Sequence, residues 1–180
     1  MADEKLTALT EETAPALADI MYFVDDPGGT PLSRKVTIQN LLNVVNFAGF
    51  HATMSADEET ASGVAEVLPF NTETFDIGGY FNTGTYRWIP PAGYVVLYAN
   101  LQWENSHASG VDTQILKNGA SICLAQSSFT TTSPQTVAVF WVGVADGDDY
   151  FEVQARQYSG GALDVLSARS QFMGFVIPQS

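Results

Sequence analysis

The sequence predicts an all-β protein folded as a two-sheet sandwich. Turn signals recur at roughly 8–12-residue spacing through the second two-thirds of the chain. Aromatic and β-branched runs fill the gaps, as at residues 85–89 and 94–98. Helical periodicity is confined to one short stretch, 38–45. About eight to ten strands are expected, enough for two layers.

Residues 70–102 organise the rest. Gly78 and Gly79, and the turn Asn82, Thr83, Gly84, are expected to supply positive φ, and Pro90, Pro91, Ala92, Gly93 forms a rigid corner. Such a segment cannot bury itself and needs a second sheet to lie against. Further on, 103–110 is a polar loop, and 111–116 alternates as a strand. Lys117, Asn118, Gly119, Ala120 is the strongest hairpin signal in the chain. Return strands are expected at 122–126, 136–144, 150–157 and 170–177, with a Ser/Thr-rich loop at 127–135.

The ordered series in this half resembles a known family. An aromatic strand is followed by Thr83, Gly84, Thr85, Tyr86, then Pro90, Pro91, Ala92, Gly93, Tyr94. The Lys117, Asn118, Gly119 hairpin and the Gly147, Asp148 strand start come next, and Ser170 to Ile177 closes the series. The pattern is similar to the trimeric jelly-roll heads of complement component one-q and their tumour-necrosis-factor relatives, over roughly residues 64–178. It implies a jelly-roll β-sandwich and a homotrimer.

The front of the chain reads differently. Residues 1–18, interrupted by Pro15, form an extended arm. Strands at 19–26 and 32–36 flank a Pro27, Gly28, Gly29 turn, and Thr37 caps a short helix over 38–45 with Ile38, Leu41, Leu42 and Val45 on one face. So small a hairpin-plus-helix wants copies of itself or another protein to pack on. Residues 19–42 also resemble a module near the N-termini of bacteriophage virion proteins, especially tail-fibre and receptor-binding ones. The expected organisation is therefore an attachment segment, 1–50, and a jelly-roll head, 51–180. Residues 46–63 read equally as a linker or as the head's first extended strand.

Composition narrows the function. A net charge of −13 argues against nucleic acid and anionic membrane as partners. No run approaches the roughly 18 apolar residues of a spanning helix, so membrane insertion is not expected. Yet 46% of residues are hydrophobic and only 15% charged, an excess that fits subunit contacts. The opening residues carry no basic-then-apolar secretory pattern, so synthesis in a host cytoplasm is expected, and the resemblance over residues 19–42 implies residence in the virion. Cys123, the single cysteine, is expected as a small buried hydrophobe.

Catalysis has no visible basis. His51 and His107 both fall in stretches read as polar loops, and no serine sits in a nucleophile-elbow pattern. No cofactor is expected. Asp146, Asp148 and Asp149 are the one cluster with oxygen ligands for calcium, against the reading of a turn whose aspartates bond local amides. Trp103, Asn105, His107 and Tyr158 form a candidate ligand surface, because aromatic rings beside polar side chains suit sugar recognition; Trp103 reads equally as a core residue ending its strand. Tyr98, Phe151 and Phe172 are the candidate trimer contacts. The expected function is a structural bacteriophage virion protein, a trimeric fibre, spike or capsid or tail appendage. Residues 1–45 would bind other virion proteins and the head would face the host; the alternative is a glycan- or receptor-binding head with an adhesion role.

Overall fold

The computed structural model describes residues 20–25, 32–37, 48–104, 109–129 and 133–177. The chain divides into two units, 1–45 and 46–180. In the first, β1 (Ile20–Asp25) and β2 (Leu32–Thr37) pair antiparallel from Ile20 opposite Thr37 to Asp25 opposite Leu32. The expected helix over 38–45 lies outside the described residues.

The head is an all-β sandwich. Sheet I has the order β12 (Gln135–Ala145), β9 (Gly93–Trp103), β14 (Leu163–Ile177), β3 (Gly49–Thr53), β6 (Thr72–Ile77), with β4 (Glu58–Thr60) also on β14. Sheet II has the order β11 (Ala120–Phe129), β10 (Ser109–Lys117), β13 (Phe151–Gln157), β8 (Arg87–Trp88), β7 (Phe81–Asn82), with β5 (Ala65–Val67) on β13. Every named strand pairing is antiparallel. No helix occurs among the described residues. The stretch open between linker and strand contains β3 and β4, and the first head strand starts at Gly49, just ahead of the expected boundary. His51 therefore lies on a strand, not in the polar loop read from its neighbours.

Asn118 and Gly119 turn the β10–β11 hairpin with φ of 52° and 77°, as the Asn-Gly signal requires. The 82–86 turn departs from expectation. Positive φ falls on Tyr86, at 63°, and not on Gly84. The Asn82 side-chain oxygen accepts from the amides of Gly84 and Thr85, and the Tyr86 amide donates to the Asn82 carbonyl. That tight bonded turn pushes the left-handed residue to its exit.

Aromatic rings fill the space between the sheets. Phe50 stacks on Phe81 at 4.6 Å, meets Phe172 edge-on at 4.8 Å and lies 4.9 Å from Trp88. Trp88, Phe151, Phe70 and Trp103 are also fully buried. Gly174 makes this cluster possible: a Cβ there would come within 3.0 Å of Leu97, Phe50 and Trp88 side-chain atoms. Cys123 corrects the sequence reading in degree. It is half-buried, and its thiol donates to the Phe140 carbonyl at 3.3 Å, linking the β11 and β12 edges of the two sheets.

Candidate functional site

Two outer surfaces remain once the core is closed, and they differ in chemistry. Strand pleating sends alternate side chains of sheet I outward, and the register aligns them in rows. One row reads Phe140, Tyr98, Met173, His51, Phe75; the next reads Val142, Val96, Phe175, Gly49, Ile77; a third reads Val144, Tyr94, Ile177. Phe140 is 59% exposed, Val144 53% and Tyr94 51%, while Val96, Tyr98, Met173 and Phe175 in the middle are half-buried by one another. These rows hold one basic side chain, His51, whose Nε2 lies 3.0 Å from Gln171 Oε1. Scattered exposed apolar residues are ordinary, but a contiguous face across five strands marks a contact surface.

Of the three candidate trimer contacts, Tyr98 lies on this face. Phe151 and Phe172 do not: both are 0% exposed inside the sandwich. Phe172 faces Ala99 in register and so shares its inward side, and Phe151 belongs to sheet II altogether. The residues missed by sequence reading are their outward neighbours Met173, Phe175 and Ile177, together with Phe140, Val142 and Val144.

Sheet II is mostly polar outside, with Leu124 exposed among the polar side chains. Asp112, only 3% exposed, accepts from Tyr158 Oη at 2.8 Å and from Gln126 Nε2 at 2.8 Å. The Arg156 guanidinium lies over the Tyr158 ring, 4.9 Å from its centroid. The hydrogen bond to the Asp112 carboxylate raises the Tyr158 phenol above its ordinary pKa, helped by desolvation. Tyr158 thus stands in a polar cluster and is 44% exposed. Its expected partner Trp103 is absent from that surface: it is fully buried at the end of β9, on the inward parity of Leu97, Ala99 and Leu101. Asn105 and His107 lie outside the described residues.

Asp146, Asp148 and Asp149 form a self-bonded turn. Asp146 Oδ1 accepts from the amides of Asp148 and Asp149, and Asp149 Oδ2 accepts from the Asp146 amide. Asp149 also meets Lys117 Nζ at 2.6 Å and Asn118 Nδ2 at 2.7 Å, tying this turn to the β10–β11 hairpin. Among the described residues no three His, Cys, Asp or Glu side chains converge as a metal site.

Burial pushes the Asp149 carboxyl up, but its bonds to Lys117, the Asp146 amide and Asn118 outweigh that and hold it below the usual aspartate value. A folded-state value below the unfolded one supplies stability above the unfolded value, and that stability is lost as pH falls from there through the folded value. Melting curves between pH 5 and 2 should therefore fall more steeply for the parent than for Asp149→Asn. At pH 7 Asp149→Ala should lose about 1–3 kcal/mol, because Lys117 and Asn118 are left facing an empty pocket.

An open crevice of about 340 Å³ lies between the β7–β8 hairpin and the Gly147 turn, lined by Tyr80, Phe81, Asn82, Ile89, Pro91 and Gly147 among others. Asn82 Oδ1 is committed to its own turn, so little polar specificity is available there.

Solved structures share this head's fold. Murine APRIL at pH 5.0 superposes with a TM-score of 0.58 at 9% identity, covering 73% of this chain and 99% of that one. The globular domain of zebrafish complement 1qA gives 0.54 at 13% identity, covering 74% and 99%. Eiger TNF from S. frugiperda gives 0.50 at 12%, covering 74% and 93%. At such identities the likeness shows the fold alone, and that fold is the tumour-necrosis-factor and complement-one-q jelly roll. No family model matches the chain, and no curated protein matches its sequence.

Proposed function

We propose that this jelly-roll chain is a homotrimeric appendage protein of a bacteriophage virion, held to the particle by residues 1–45 through other virion proteins, with the head turned towards the host. The observation that carries the trimer is the apolar outer face of sheet I. Left in water, three rows of Phe, Tyr, Val, Met and Ile would associate without order, whereas a closed ring of three copies buries each copy's face in one defined arrangement. The virion half of the proposal rests on the resemblance of residues 19–42 to virion attachment modules.

Light scattering on the full chain at micromolar concentration should give three times the 19.4 kDa mass of one chain. A species of a single chain mass there would overturn the trimer. Mass spectrometry and antibody-labelled electron microscopy of purified phage particles test the location, and absence of the chain from intact particles would overturn it.

An adhesive head that binds a host glycan or receptor is the second reading. The half-exposed Tyr158 beside Asp112, Gln126 and Arg156 favours it. The two readings are compatible, since the polar cluster lies on sheet II and the assembly face on sheet I.

A further inference from the structure

The described part of the head stacks an arginine on a tyrosine twice, and the two stacks are completed differently. Arg87 lies over Tyr150 at 3.9 Å and donates through Nε to the buried carboxylate of Glu152 at 2.8 Å. Arg156 lies over Tyr158 but makes no ion pair or hydrogen bond with any described residue, and its buried Nε has no partner. The nearby carboxylate does not serve it. Asp112, opposite Arg156 in the strand register, instead takes the hydroxyl of Tyr158 and the amide of Gln126, one on each oxygen.

A guanidinium on an aromatic ring, with donors unspent, is built for a planar oxyanion. We propose that Arg156 and Tyr158 on the outer face of sheet II bind the carboxylate of an acidic sugar through the terminal guanidinium nitrogens of Arg156, its Nε being buried. The exposed Gln126 side chain, whose Nε2 is spent on Asp112, has an amide oxygen that suits a sugar hydroxyl. The exposed part of the Tyr158 ring offers an apolar surface to the sugar's C–H groups. Hydroxyl donors next to a carboxylate are what a sugar acid provides and a bare phosphate lacks.

The protein's charge of −13 sets the conditions. An anion approaching it is repelled at long range, but salt near 0.15 M screens charges beyond about 8 Å while leaving a contact pair largely intact. Binding of an acidic sugar should therefore survive, or gain slightly from, added salt, unlike binding to a basic patch.

This inference deepens the adhesive reading of the head and does not depend on the trimer. Its test is calorimetric titration of the full chain with a galacturonate trisaccharide, the matching neutral galactose trisaccharide and inorganic phosphate, at 0.15 M salt. The acidic trisaccharide should bind at least tenfold tighter than either of the others. Arg156→Gln should abolish that preference, and Arg156→Lys should weaken it several-fold, because a lysine keeps the charge and loses the fork. Glu73→Gln, an exposed charge change on β6 of sheet I and so outside the proposed site, serves as the control and should leave the preference unchanged. Equal affinity for the neutral sugar, equal affinity for phosphate, no binding by any of the three, or an unchanged preference in Arg156→Gln with circular dichroism intact would each overturn the proposal. Light scattering on the same samples reports the assembly separately, so failure here leaves the trimer standing or falling on its own evidence.

Discussion

Phe175→Glu should convert a species of three chain masses into one of a single chain mass, with the head's β-sheet signal unchanged. Phe175 points outward from β14, the central strand of sheet I, between Val96 and Gly49. In a lone head the new carboxylate can still reach water from this half-buried site, so it costs the fold less than it costs the ring. In a closed ring it is buried against a neighbouring copy's apolar rows, three times over, where the one basic side chain, His51, is already held by Gln171. An unpaired buried carboxylate costs several kcal/mol. Since roughly 1.4 kcal/mol is tenfold in affinity, dissociation at micromolar concentration follows. Leu124→Glu is the matched control, 47% exposed on sheet II, and should leave the threefold mass intact. Unchanged mass in both variants would place the assembly contact elsewhere.

Phe172→Ala should have the opposite signature. Three residues earlier on the same strand, Phe172 points inward and touches Phe50 at 4.8 Å, Phe70 at 5.9 Å and Phe81 at 6.4 Å between ring centroids. Gly174 beside it leaves no side chain that can move into the space. Deleting a fully buried ring from such a cluster costs about 3–5 kcal/mol, against a typical domain stability of about 5–15 kcal/mol. The midpoint of thermal unfolding should drop by roughly 10–20 °C. The cavity itself should not alter subunit stoichiometry in the molecules that remain folded. A loss below about 1 kcal/mol would mean that this ring is not part of the packed interior.

These two neighbours show where sequence reading stops. In most strands one face is polar, and period two tells inside from outside. Along 170–177 both parities are apolar: Phe172, Gly174, Val176 on one side and Met173, Phe175, Ile177 on the other. Alternation then carries no information about direction, which is why the expectation put Phe172 on the wrong face. Strand β12 is similar, with Val137 and Val139 inward and Phe140, Val142 and Val144 outward. For Trp103 the sequence left two readings open, and the structure takes the core one: it continues the inward parity of Val95, Leu97, Ala99 and Leu101 and ends its strand. The Asp112, Tyr158, Arg156 cluster had no sequence signal, because Asp112 and Tyr158 stand 46 residues apart along the chain and meet only through the pairing of β10 with β13.

By itself the sequence determined the all-β class, the Asn118-Gly119 hairpin and the excess of apolar residues, because turn chemistry and side-chain volume act locally; its eight to ten expected strands fall short of the twelve in the head, where short pairings such as β4 and β5 form only in the sheet. The tertiary structure alone decided which apolar rows face the core and which face outward, and which arginine is left without a carboxylate. Both depend on strand register between segments far apart in the chain, and register is settled only when the two sheets close on each other.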